Sequence, residues 1–160
     1  MAILPYEELL EGDRVVRAAP GARHELICSR LHGWVAASVA DFAGTRLLPP
    51  RTRVQLTGET FVCPDLALVT AATGKLWLAA EVVSSGDHHT DTVLKKQLYE
   101  AVRLPRLWMV DPRYDNVEVY HASAYGLMLK GILAGAERLT DQLLPEFATG
   151  IAELFRAEVV

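Results

Sequence analysis

Apolar and polar positions follow two periods along this chain, and the changeovers between them mark its elements. "YEELLEGDRVVRAAP" (residues 6–20) holds two short extended runs about Glu11-Gly12, which predicts a hairpin closed off by Pro20-Gly21. From about Ala22 to Phe42 the apolar residues recur at helical spacing through Leu26, Ile27, Leu31, Trp34, Val35, Val39 and Phe42. His24, Glu25, Arg30 and His32 lie largely off that stripe. "TRLLPPRTRVQLTG" is extended but broken, because Pro49 and Pro50 cannot sit in a continuous central strand. Two apolar runs follow, "TFVCPDLALVT" and "LWLAAEVVS", joined by a Thr73-Gly74-Lys75 turn and suited to neighbouring core strands.

After the loop "SGDHH" a second helix is expected from about Thr90 to Leu104, with Leu94, Leu98 and Val102 as the stripe that docks it on a sheet. "RLWMVDP" is an apolar strand ended by Asp111-Pro112, and "NVEVYHAS" alternates with period two. A further strand or two lead to a short helix near "GIAELF". Hairpin, helix, strands, helix, strands is the order of a mixed α/β domain: a central sheet flanked by helices.

Composition narrows the class. The 160 residues suit one domain spanning 1–160, and 51% hydrophobic against 22% charged residues is a globular balance. No apolar run approaches the roughly 20 residues that cross a bilayer, and "MAILPYEELLEGD" has no signal-peptide pattern, so a cytoplasmic protein without a membrane partner is expected. Cys28 and Cys63 lack metal-type or redox-type spacing and suit two buried free thiols. The net charge of −4 argues against a simple nucleic-acid coat, since such binding comes from phosphate neutralisation. It leaves room for a nuclease whose centre must be acidic to hold a metal.

The candidate chemistry starts from two acids out of place. Asp65 and Glu81 stand in runs otherwise built for burial, and an unpaired buried carboxylate costs several kcal/mol. Either they lie at strand ends or a positive charge sits between them. Asp91, Lys95 and Tyr99, at i, i+4 and i+8, share one face of the second helix at the boundary of its docking stripe. From there Lys95 can reach toward the two acids, whereas Lys96 is rotated about 100° away and suits a solvated charge. Ser84 has no nucleophile elbow around it and suits a turn, a cap or a contact to an acid. His88 and His89 suit a loop, because adjacent histidines do not easily face one ion and no third ligand has zinc-type spacing. Trp77 and Trp108 suit core packing.

"EELLEGDRVV", "RHELICSRL", "PDLALV" and "EVVSSGDHHTDTVLKKQLYEAVRLPRLWMVDP" together resemble the Uma-type restriction endonucleases of the PD-(D/E)xK nuclease superfamily. The resemblance runs from about Tyr6 to Tyr120, and more faintly to "LLPEFATGIAELF". It implies a restriction-endonuclease-like core and a metal-dependent endonuclease acting on DNA, or else an inactive nuclease-fold DNA-binding or interaction module. It implies that Asp65, Glu81 and the backbone carbonyl of Val82 bind Mg²⁺ or Mn²⁺, ions that favour hard oxygen ligands. The plain motif has a lysine two residues after the second acid, where this chain has Val83; the resemblance moves that role to Lys95. His24 and Glu8 match a histidine and a glutamate of the family, and Asp91 would cap its own helix or hold Lys95. DNA contacts would come from Arg46, Arg51, Arg53, Lys95, Lys96, Arg103 and Arg106, which a two-fold homodimer would align along a duplex.

Overall fold

The computed structural model describes residues 4–84, 86 and 88–157. The chain opens with the expected hairpin, β1 (Tyr6–Leu10) and β2 (Asp13–Arg17). Glu11 and Gly12 both have positive φ, 52° and 87°, the conformation that lets a two-residue turn match the right-handed twist of its strands. Helix α1 (Ala22–Val39) buries Ile27, Leu31, Val35 and Val39 and ends three residues before Phe42, which is exposed.

The run "TFVCPDLALVT" is not one strand. It splits into β5 (Thr60–Val62) and β6 (Leu66–Thr70), and the two halves belong to different sheets. Pro64 has no N–H to give a ladder, so the chain leaves one sheet at Cys63-Pro64-Asp65 and joins the other. With β3 (Thr45–Leu47), β4 (Val54–Thr57), β7 (Leu76–Val82), β8 (Arg106–Asp111), β9 (Asn116–Ser123) and β10 (Gly126–Ala134), two sheets result. The larger has the order β10-β9-β8-β7-β6-β3 and the smaller β2-β1-β5-β4. Only β7 and β8 of the larger sheet run parallel, joined by the expected helical crossover. Strands β11 (Arg138–Asp141) and β12 (Leu144–Gly150) form a further hairpin before α3 (Ile151–Phe155).

The larger sheet is covered on both faces, which is why β7 and β8 are apolar almost throughout. On one face α1, β12 and α3 pack against Leu66, Leu68, Leu78, Ala80, Trp108 and Val110, with Trp108 stacked on Phe147 at 5.4 Å between centroids. On the other, Ala67, Ala79, Leu107 and Met109 meet Leu10, Val62, Tyr99 and Leu104. Trp77 packs against the first cluster and donates its indole N–H to Thr45 Oγ1 at 2.9 Å.

The second helix departs from expectation. His88 and His89 already have helical backbone, residues Thr90–Leu94 form a π-helical turn, and α2 spans only Lys95–Ala101. Arg103 has φ 56°, and the Arg103 and Leu104 N–H groups close the helix end on Glu100 and Tyr99 carbonyls. The facing is reversed too. Asp91, Lys95 and Tyr99 point inward, while Leu94 is 41% exposed. Of the expected docking stripe Leu94 lies outside while Leu98 still packs against the second cluster, because charges on distant strands hold the polar face in. No helix among the described residues is long and apolar enough to cross a membrane.

Candidate active site

Glu81 is the sixth residue of β7, and strand alternation sends Ala80 and Val82 to the α1 face and Glu81 to the α2 face. Asp65 precedes β6 by one residue; extending the Leu66–Ala80 register places it opposite Glu81. Its Oδ2 accepts a hydrogen bond from the Val82 N–H at 2.8 Å, fixing the carboxylate at the strand end. Both acids are buried.

A cation does meet Glu81. The Lys95 ammonium, wholly buried, lies 2.5 Å from Glu81 Oε1 and 2.8 Å from Glu8 Oε2. The attraction of one ammonium to two carboxylates holds it there. Tyr99 donates its hydroxyl to Glu81 Oε1 at 2.6 Å. Glu8 also accepts from Arg17 at 2.7 Å and from the Cys63 N–H at 2.7 Å. Arg17 reaches on to Asp91 Oδ1 at 2.6 Å. Asp91, Arg17, Glu8, Lys95 and Glu81 therefore form one buried chain of alternating charge, drawn from β2, β1, the π turn, α2 and β7.

The charges do not balance. Four buried carboxylates (Glu8, Asp65, Glu81 and Asp91) surround two buried basic side chains, Arg17 and Lys95. Burial pushes Glu81 up to about 8, with Glu8 and Asp65 adding to the shift and Lys95 opposing it. Asp65 is raised by its burial as well, against the pull of His24 and the Val82 N–H. Burial also acts to raise Glu8, but the Lys95 ammonium, the Cys63 N–H and Arg17 win and hold it below the usual carboxylate range. One ammonium serves two carboxylates: burial outweighs it at Glu81, while at Glu8 it prevails with the help of Cys63 and Arg17. Tyr99 is raised well above its ordinary value by burial and by Glu81, and remains a donor.

The other expected residues land as follows. His24, in the first turn of α1, turns inward: its Nε2 lies 3.0 Å from the Val82 carbonyl and 3.7 Å from Asp65 Oδ2. Asp91 does not cap its helix and holds Arg17 rather than Lys95; its Oδ2 also accepts the Ser84 N–H at 3.1 Å. Ser84 thus enters through its backbone. Val83, at the position of the plain motif's lysine, is buried and hydrogen-bonded to β8, and Lys95 fills the space beside Glu81 instead. Asp87 lies outside the described residues.

Sequence reasoning passed over three participants. Arg17 had no local signal, since its strand already carries the exposed Asp13 and Arg14. Tyr99 was visible only as part of the helix spacing. Tyr6 borders the site, where burial and the nearby acids push its hydroxyl upward; nothing in its surroundings in the sequence marks it.

The basic residues expected to line a duplex do not form one surface. Lys95 is interior, Arg51 pairs with Glu25, Arg106 binds the buried Asp141 at 2.9 Å, and Lys96 sits over the Tyr120 ring. Arg46, Arg53 and Arg103 are exposed. A cleft of about 440 Å³ opens beside the site instead, lined by Tyr6, Arg17, His24, Ser84, Arg23 and Arg113 among others.

The fold matches that of a solved relative. The crystal structure of a "putative nuclease belonging to DUF820" from Anabaena variabilis superposes with a TM-score of 0.78 at 17% identity, covering 94% of this chain and 90% of that one. This is the restriction-endonuclease-like architecture, a central mixed sheet flanked by helices. No curated protein matches the sequence. The Uma2 family, described as "Putative restriction endonuclease", matches residues 5–152, and the chain belongs to it.

Proposed function

We propose that residues 1–160 act as one domain, a metal-dependent endonuclease that hydrolyses DNA phosphodiester bonds. The observation that carries this reading is the unbalanced interior among the described residues: four carboxylates, two basic side chains, and Asp65 Oδ1 buried with no hydrogen-bond partner among them. A buried acid in that state is costly unless a positive ion joins it. Arg51 supplies only part of the charge, since it stands 3.9 Å from Asp65 and is also paired with Glu25. Asp65, Glu81 and the Val82 carbonyl are all hard oxygen donors, a set that fits Mg²⁺ or Mn²⁺. When bound, such an ion polarises the phosphate and lowers the pKa of a coordinated water.

The chain's own groups do the rest. Lys95 and Tyr99 fix the Glu81 carboxylate, and the ammonium lies where it can orient an attacking water or steady charge on phosphate. Glu8 holds Lys95, Arg17 holds Glu8, and Asp91 with the Ser84 N–H holds Arg17. His24 fixes the Val82 carbonyl at the rim. The phosphate backbone would enter by the cleft at Arg17 and His24, where Arg23 and Arg113 also stand. Arg23 and Arg113 are paired with Asp115 and Asp111 and would exchange those acids for phosphate, and dimerisation would repeat the cleft along a duplex.

Plasmid incubated with Mg²⁺ or Mn²⁺ should be nicked or cut by the protein, and Glu81→Ala and Lys95→Ala should each abolish cleavage. Activity surviving in both variants overturns the assignment. The full burial of Lys95 between two acids favours a second reading, an inactive nuclease-fold module that binds DNA or another partner. Calorimetric titration separates the two: a module without a metal site takes up no Mn²⁺.

A further inference from the structure

One turn of α1 carries a second set of ligand atoms, of which the nuclease reading uses only the Nε2 side of His24. His24, Glu25 and Cys28 offer Nδ1, a carboxylate oxygen and Sγ, all within 4.8 Å of one another. Two of the edges are closer still: His24 Nδ1 lies 3.5 Å from Cys28 Sγ and 3.5 Å from Glu25 Oε1. Around a tetrahedral zinc ion, with bonds of about 2.0–2.3 Å to nitrogen, oxygen and sulfur, ligand atoms stand about 3.4–3.6 Å apart. The spacing on the helix is therefore already that of a coordination shell on these two edges.

The second observation concerns the imidazole. Its Nε2 is 3.0 Å from the Val82 carbonyl, a group that can only accept, so the ring carries its proton on Nε2. That leaves Nδ1 as an acceptor, hydrogen-bonded to the Cys28 thiol at 3.5 Å and the same distance from Glu25. A histidine that donates its distal N–H to a backbone carbonyl while presenting the other nitrogen is the usual arrangement of a metal ligand. His24 also lines the cleft, which gives an ion a route from solvent. The sulfur selects the class of ion: thiolate with imidazole and one carboxylate favours Zn²⁺ over Mg²⁺.

We infer that His24, Glu25 and Cys28 form a zinc-binding site on α1, beside the Asp65–Glu81 pair and distinct from it. On binding, the Cys28 S–H bond breaks, its proton passes to solvent, and the thiolate bonds the ion; no electron is transferred. Glu25 partly exchanges its partner Arg51 for the ion, and the fourth position stays open to water. The inference stands whether or not the chain cleaves DNA.

Co²⁺ serves as the probe, since a cobalt–thiolate bond gives a charge-transfer band in the near ultraviolet and Zn²⁺ displaces the cobalt. The full-length protein should show this band at one equivalent and lose it on adding Zn²⁺. Cys28→Ser should abolish the band, and His24→Gln should weaken Co²⁺ binding by at least about tenfold. Cys63→Ser and Glu81→Gln should leave the band in place. Retention of the band in Cys28→Ser would mean that another thiol holds the cobalt and would overturn the proposal, as would no band in the parent. Circular dichroism of Cys28→Ser confirms that a lost band is not a lost fold. Plasmid cleavage, read separately, reports on the Glu81 centre alone.

Discussion

The two faces of the larger sheet are held by different physics. Toward α1 and α3 the contacts are hydrocarbon and ring stacking, with Ile27, Leu31, Trp108, Phe147 and Leu154 filling space. Toward the π turn and α2, apolar packing shares the interior with the chain Asp91–Arg17–Glu8–Lys95–Glu81. The same strand serves both, since β7 presents Ala80 and Val82 one way and Glu81 the other. A volume-filled face gives way by degrees, because neighbours shift into a small void. A charge-matched face does not, because removing one member leaves its partner buried and unpaired.

The largest test of that contrast is Lys95→Met, which keeps the bulk of the side chain and removes the charge. It strips Glu8 and Glu81 of their shared cation, and urea unfolding should show a loss of about 3–5 kcal/mol, with cleavage abolished. A loss under about 1 kcal/mol would show that the two acids simply share protons and that the ion pairs contribute little.

Next in size is the response to metal. If the centre binds Mn²⁺, a concentration 100 times Kd should stabilise the protein by about 2.7 kcal/mol in thermal or urea unfolding, and Glu81→Gln should lose most of that gain. The pH dependence sharpens it. Glu81 is raised from 4.5 to about 8 by burial, so the folded protein holds a proton that unfolding releases. The associated stability is present below about 4.5 and fades as pH rises to about 8. Saturating Mn²⁺, which favours the ionised carboxylate, should flatten or reverse that decline. An identical pH profile with and without metal would place the ion elsewhere.

The smallest effect belongs to the filled face. Ile151→Val, at the start of α3, should cost about 0.5–1.5 kcal/mol and leave plasmid cleavage unchanged. A lost activity there would mean that the two faces are coupled and the contrast is drawn too sharply.

Most of the architecture was legible in the sequence because its local signals agree. Glu11-Gly12 marked the hairpin, the apolar stripe from Leu26 to Val39 marked α1, and the acids in "PDLALV" and "LWLAAEVV" stood out against their neighbours. Two features were not. Pro64 was passed over as a strand breaker although Pro49 and Pro50 were not, which hid the change of sheet at Cys63-Pro64-Asp65. The facing of the second helix was misjudged because periodicity ranks residues by their own hydrophobicity. Leu94 lies out and Lys95 in because Glu8 and Glu81 wait beneath, 87 and 14 residues away, and no local pattern encodes that pairing. The expected strip of basic residues failed for the same reason, since Arg106 and Arg51 each found an acid far off in sequence.

Synthesis runs from the N-terminus, so the order of the ionic chain along the polypeptide is also an order in time. Glu8, Arg17, Asp65 and Glu81 all leave the ribosome before Lys95 does. Until that lysine emerges, nothing can neutralise Glu81 from within, and the nascent strands have reason to stay apart and wet. The native partner of both Glu8 and Glu81 is thus among the last of the ionic chain to be made.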